Sequence, residues 1–442
     1  MKATKKFKKT LNNCIEKICQ SKENYCVNPK TDFTRNKKLP MDKVIKAILS
    51  FSSKSLNNEM IDIFGNDIDN MASVSAFVQQ RSKIKPSAFE DIFKTFANEI
   101  PIVKLYQGYR ILAVDGSDLL TPLNRDDTDS LFQANENAPY NIFHLNALYD
   151  LNSNVYVDAT VQKRKKENEH KAFCDMVDRY KCDIPTIFIA DRGYESYNNL
   201  AHIQQTGQFF LIRIKDCKSN GILRSFDLPD SDEFDLSFDL LLTRKKSNEI
   251  KELFKNRNKY KCIYNSSTFD FLPERMTKHD KATFFNLKFR IVRFEIAPGK
   301  YEAVITNLDK DAFTPQELKE LYARRWGIET SFRSLKYTVG LLHFHSIKSE
   351  HIIQEIFANL TMYNFTESIA SNISIRKAKR KYSYKINFSV AVNVCRKFFV
   401  GLCAPKFVEA VIEKHILPIR SNLSKPRNLT SKHAVSFVYR VA

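Results

Sequence analysis

The sequence predicts a mixed α/β fold: a mixed sheet with flanking helices, interrupted by a β-rich insertion and bracketed by helical N- and C-terminal regions. Three observations carry that expectation. Apolar residues recur at three- and four-residue steps from the start to about residue 105. From residue 109 the period becomes that of strands, and three strands precede alternating helix and strand. A stretch rich in Phe, Tyr, Ile and Val then fills 216–308, after which helical spacing returns.

In order, MDKVIKAILSF, LNNEMIDIFG and VSAFVQQRSKIKPSAFEDIFKTFANEI read as helices broken by Gly65 and Pro86. YRILAVDGSD reads as a strand entering a turn, and FHLNALYD and VYVDATVQ as two more strands. KENEHKAFCDMVDRY favours helix, TIFIADRGY is a short strand ending on Asp191, and a helix near SYNNLAHIQQ leads to a strand at FFLIRIK. Asp115 and Asp191 are thus expected at strand C-termini, where open α/β sheets form their ligand crevice. FDLSFDLLLTRK, YKCIYNS, FFNLKFRIVRFEI and YEAVITNL are strand-like, with EIKELFKN helical between them. The divisions expected are 1–105 (helical), 106–215 (first part of an α/β core), 216–308 (β-rich insertion), 309–370 (second part of that core) and 371–442 (basic, helical).

The segment Thr314–Gly340 is expected to form one helix. Thr314 suits the N-cap, Pro315 the first turn, Glu317 a capping box and Gly340 the stop. Tyr322, Arg325, Glu329, Phe332 and Lys336 follow at steps of three or four and share one face. Leu318, Leu321, Ile328 and Leu335 form an apolar stripe beside them. Taken alone, the pattern also fits an amphipathic helix with internal salt bridges.

Lys and Arg total 70 against 50 Asp and Glu, a net charge of +20, which points to a polyanionic partner. No apolar run is long enough to span a bilayer, and no apolar segment follows the basic N-terminus, so neither a membrane span nor a secretory signal is expected. Residues 2–38 carry eleven basic and three acidic side chains; 371–442 carry fifteen basic residues against Glu409 and Glu413, interleaved with aromatics. The nine scattered cysteines, with no C-x-x-C pair, read as reduced thiols. Walker A, dinucleotide-turn and G-x-S-x-G elements are all missing from the sequence.

Two aspartates on strand ends and a glutamate on a helix suit Mg²⁺, which carboxylates hold jointly with substrate phosphates. Two such ions could stabilise both attacking and leaving oxygens of an in-line displacement at phosphorus. Arg325 and Lys336 lie within two turns of Glu329 and could hold those phosphates.

DGS at 115–117, DRGY at 191–194 and the Tyr322, Arg325, Glu329, Lys336 series resemble the DDE transposases of bacterial insertion sequences, in the subgroup with the Tyr-Arg-Glu-Lys signature. The segment VSAFVQQRSKIKPSAFEDIF and the closing PIR…KPRN…FVYR extend the likeness over most of the chain. The resemblance implies an RNase H-like core with a β insertion. It implies that Asp115, Asp191 and Glu329 bind two Mg²⁺ or Mn²⁺ ions and that Tyr322, Arg325 and Lys336 contact phosphates at the transposon end. Arg192 and Arg333 are further candidate DNA contacts, with a salt bridge inside the core the equal alternative for Arg192 and for Arg213. It further implies a homodimer on double-stranded DNA that cleaves at terminal repeats, often through hairpin ends, in a bacterial cytoplasm and with no nucleotide cofactor. Two other functions fit the same chain: a catalytically silent DNA-binding regulator, and a structure-specific nuclease. Trp326, the sole tryptophan, sits in the signature helix, so a flipped base near a hairpin would have to stack on Phe or Tyr of the insertion, as in FFNLKF.

Overall fold

A computed structural model describes residues 2–35, 38–64, 71–133, 138–217, 219–277, 279–375 and 382–419. Gly65 and the closing KPRN…FVYR segment fall outside them. The helical start comprises α1 (Lys2–Gln20), α2 (Lys22–Tyr25), α3 (Met41–Ser50), α4 (Leu56–Phe64), α5 (Val74–Arg81) and α6 (Ser87–Asn98). There follow β1 (Arg110–Thr121), β2 (Leu131–Phe132), β3 (Tyr140–Asp150), β4 (Val155–Lys163), α7 (Glu169–Arg179), β5 (Thr186–Ala190), α8 (Tyr197–Gln205) and β6 (Phe209–Ile214). The middle holds β7 (Phe234–Thr243), α9 (Asn248–Leu253), β8 (Tyr260–Cys262), β9 (Phe285–Ala297) and β10 (Lys300–Thr306). The remainder is α10 (Pro315–Ala323), α11 (Trp326–Ser334), α12 (Ser349–Ala370), β11 (Ser383–Ile386), α13 (Phe388–Phe399), α14 (Pro405–Lys414) and β12 (Ile416–Ile419).

The core sheet runs β4-β3-β1-β5-β6, antiparallel across the first three strands and parallel from β1 to β5 to β6. This is the RNase H-like arrangement. Strand alternation divides β1 between two cores. Ile111 and Ala113 pack with Ile328, Leu335 and the terminal helices, whereas Leu112 and Val114 pack with Phe173 and Met176 of α7. Both faces are covered, which is why this strand is almost continuously apolar before Asp115.

The strands of 216–308 continue the same sheet. β10 pairs antiparallel with β6, and β9, β7 and β8 follow. Alternate apolar side chains of β7 and β9 build a local core in which the Phe238 and Phe289 rings stack at 5.4 Å. The expected division at 215 and 216 is therefore spanned by backbone hydrogen bonding.

Two local expectations are corrected. β1 does not turn at the DGS segment but runs on to Thr121, so Asp115 lies mid-strand. It falls instead where pairing with β5 stops: the last parallel pair is Ala113 with Ile189, and β1 continues against β3 alone. The expected single helix from Thr314 to Gly340 is also divided. The capping box of Thr314 and Glu317 forms as expected, but bonds from Arg324 N to Leu321 O (3.2 Å) and Arg325 N to Tyr322 O (3.0 Å) tighten the chain between α10 and α11. A π turn at Leu335–Val339 then widens it, ending on Gly340 at φ 100°. Gly327 is thereby the second residue of α11 rather than mid-helix, and a Cβ there would approach Leu151 Cδ2 of the β3–β4 turn to 2.7 Å.

Candidate active site

Asp115 belongs to the β1 face that continues Ile111 and Ala113, beneath α11. Its Oδ1 accepts the Gly116 N–H at 2.9 Å. Asp191 follows β5 directly and caps the short turn Arg192–Tyr194, Oδ1 accepting the Gly193 N–H at 2.7 Å. Tyr194 closes that turn from below, buried against the Phe173 ring at 5.4 Å. Glu329 is carried by α11, which is seated through buried Ile328 and Phe332 and by a 2.8 Å hydrogen bond between Ser331 Oγ and Tyr156 of β4.

Arg325 joins Asp115 and Glu329. Nη2 donates to Glu329 Oε1 at 2.8 Å and Nη1 lies 3.8 Å from Asp115 Oδ2, while the guanidinium sits 5.4 Å from the Trp326 ring and 5.9 Å from the Tyr322 ring. Burial works against its charge, but Tyr322, Glu329 and Asp115 outweigh burial and hold its pKa above the ordinary arginine value. Burial lifts the Asp115 carboxyl to about 6; Gly116 N–H and Arg325 oppose this, and Asp191 and Glu329 add to it by like-charge repulsion. Tyr322 is buried with Arg213 on its ring face at 6.0 Å, and Arg213 pairs with Glu302 at 2.9 Å. Lys336, in the π turn, donates to the Asp118 carbonyl at 2.7 Å, and burial lowers its pKa. Arg192 and Arg333 are exposed.

Asp115, with Asp191 and Glu329 close enough to raise its proton affinity and Arg325 beside it, makes an oxygen donor set suited to hard divalent cations. Two nearby aspartates are structural: Asp150 pairs with Arg110 at 2.8 Å and caps the β3–β4 turn, and Asp158 pairs with Arg179 at 2.5 Å.

Among the described residues, the tightest cluster of possible metal ligands is a neighbouring one, Asp118, His144 and Glu167, whose ligand atoms all lie within 4.8 Å of one another. It occupies the other face of β1. His144 Nδ1 is 2.7 Å from Asp118 Oδ1 and 3.6 Å from Glu167 Oε1, and Nε2 is 2.9 Å from Glu169 Oε1. Burial opposes the charge of His144, but these carboxylates push its pKa up to about 9. Sequence reasoning missed it because the pairing of Asp118 with His144 depends on the β1–β3 register, which composition does not encode.

A family model described as "Transposase DDE domain" matches residues 106–365, a span that contains every residue of the Asp115, Asp191 and Glu329 constellation. No curated protein matches the chain by sequence. Among solved structures, the cryo-EM structure of a piggyBac transposase synaptic complex with hairpin DNA is similar at 11% identity and a TM-score of 0.41, covering 88% of this chain and 77% of that one.

Proposed function

The chain belongs to the transposase DDE-domain family, and from that premise we propose that it binds the terminal inverted repeats of an insertion sequence and catalyses metal-dependent strand cleavage and strand transfer. The observation that carries this is the convergence of Asp191 and Glu329, from the end of β5 and from α11, on Asp115 of β1, with Arg325 bridging Asp115 and Glu329. Asp115, Asp191 and Glu329 would hold the Mg²⁺ or Mn²⁺ ions, which when bound stabilise the charge on attacking and leaving oxygens. Arg325 is already oriented by Glu329 and by two aromatic faces, so its fork can meet a non-bridging phosphate oxygen without first being ordered. Lys336 and Tyr322 contact phosphates at the same cleaved end, one as a point charge and one as a hydroxyl donor. Arg192 and Arg333, both exposed, track the flanking backbone.

Hydrolysis and joining are one displacement with two nucleophiles, water and a 3′-hydroxyl, so no nucleotide cofactor is needed. A homodimer, each subunit holding one end, and a hairpin intermediate belong to the same proposal. So do the regions 1–105 and 371–442 as the basic surfaces that carry the ends.

The test is cleavage of a labelled duplex bearing the element's own flanking repeats, comparing wild type with Glu329→Gln in Mg²⁺ and in EDTA. The expected outcome is nicking at the repeat boundary that EDTA abolishes. Losing one ligand removes several kcal/mol of charge stabilisation, so the variant should be slower by about 10³-fold while still binding DNA. Binding by both proteins with no cleavage in Mg²⁺ or Mn²⁺ would replace this proposal with a silent DNA-binding regulator.

A further inference from the structure

We propose that His144, Asp118 and Glu167 form a second cation site, for a divalent transition-metal ion, with Glu169 as the outer partner of the imidazole. It lies across β1 from the candidate catalytic carboxylates and shares no residue with them.

The donor set is the first argument. One imidazole with carboxylates at 2.7 and 3.6 Å from its Nδ1 suits Mn²⁺, Co²⁺ or Zn²⁺, whereas Mg²⁺ and Ca²⁺ prefer oxygen alone. The second is the far side of the ring. Ligating histidines characteristically turn their other nitrogen to a carboxylate, and Glu169 Oε1 stands 2.9 Å from Nε2. That nitrogen is buried, and Glu169 meets it as a close charge partner rather than along an ideal hydrogen-bond direction. The third is the floor of the site. A Cβ at Gly116 would lie 2.4 Å from His144 Nε2 and 2.5 Å from Glu169 Oε1, so the imidazole and carboxylate press against bare backbone one residue from Asp115.

Charge and access agree with this. The side chains of Asp118 and Glu169 are 49% and 37% exposed, which leaves an entry path, while His144 is 6% exposed and held in place. Arg164, which pairs with Glu167, and Lys336, beside Asp118, offset only part of the negative charge of the carboxylates. Binding replaces the Nδ1 proton of His144, which leaves to solvent, and the Nε2 proton stays on the side of Glu169. A bound ion ties the distal half of β1 to β3 and to the start of α7.

The catalytic carboxylates offer only oxygen, so nitrogen ligation separates the two sites. The full chain carrying Asp191→Asn and Glu329→Gln is titrated with Mn²⁺, and the electron spin echo of the bound ion is examined for imidazole-nitrogen modulation. The expected result is modulation that disappears in the same background with His144→Gln, and Mn²⁺ affinity lowered about ten- to a hundredfold by Glu169→Gln. Bound Mn²⁺ without nitrogen modulation in the His144 protein would overturn the proposal, as would modulation that survives His144→Gln. Circular dichroism melts confirm that each variant is folded, and the Glu169→Gln affinity remains decisive if His144→Gln does not fold. These outcomes do not depend on cleavage, so the catalytic proposal stands or falls separately.

Discussion

At the scale of single residues, Gly116 is the position where the least can be changed. Its replacement by Ala drives a methyl into the buried His144 ring and the Glu169 carboxylate, neither of which can withdraw without breaking its contacts. The expected cost of overpacking is about 1–3 kcal/mol, read as a lower midpoint in chemical denaturation. Glu367 makes a different prediction. Burial lifts its carboxyl to about 8, only weakly opposed by Lys104. A raised carboxylate binds its proton more tightly folded than unfolded, so its stabilising protonation is complete below about 4.5 and is lost as pH rises through about 8. Glu367→Gln should therefore melt close to wild type at pH 4.5 and progressively above it toward pH 8. Melting curves at both pH values would show it, and a constant difference would refute the assignment. The candidate carboxylates could be proposed from sequence because a carboxylate that closes an apolar run, and one in a helix with regular cation spacing, leave a mark in the linear sequence. His144 left none: a histidine in an alternating strand looks like any other inward residue until its cross-strand partner is known.

At the scale of elements, the segment from Thr314 to Gly340 was legible at both ends and not in its middle. Caps are local chemistry, so Thr314, Pro315 and Glu317 specify the start and Gly340 the stop. The tight turn at Arg324–Arg325 and the wide turn at Leu335–Val339 are tertiary effects, imposed as α11 settles on β1 and the β3–β4 turn. The strand end assigned to Asp115 failed for the same reason: the sequence shows where apolar alternation fades, but not that β3 keeps β1 extended after β5 has ended. The seat of α11 can be tested through Tyr156→Phe, which removes the buried hydroxyl bonded to Ser331. A loss of about 1 kcal/mol is expected, together with a lower cleavage rate from a less firmly placed Glu329. Unchanged cleavage at lowered stability would mean that Ile328 and Phe332 alone position the helix.

At the scale of the whole molecule, the terminal helices are built into the catalytic region. α1, α3 and α6 pack on α12, and their apolar side chains share one core with Ile111, Ile328 and Leu335. A buried polar network crosses the same seam: Arg81 pairs with Glu355 at 2.7 Å, and His345 lies 3.0 Å from Glu355 and 3.7 Å from Glu59. Removing residues 1–105 should therefore leave a product without a cooperative melting transition, although the family match begins only at residue 106. Arg81→Met should cost about 3–5 kcal/mol, because Glu355 would stay buried with half its compensation gone. Burial lowers the proton affinity of His345, yet Glu355 and Glu59 outweigh it and raise its pKa to about 9. Its stabilisation is complete below about 6.5 and fades as pH rises through about 9, so wild type should lose melting temperature between pH 7 and 10 more steeply than His345→Gln.

The continuous sheet of ten strands has a bearing on how copies of the chain behave toward one another. Any open sheet exposes unpaired amides along its margins, and a long flat margin recruits a second copy by strand addition. Here one margin is β7, covered by β8 only over Leu241–Thr243, and the other is β4, nine residues long, with the two-residue β2 beside it. α6 and α12 lie against β4, and Lys163 and Arg164 close its end. The β4 margin is thus flanked by helices, which leaves Phe234–Leu240 of β7 as the stretch at which a second copy could add a strand.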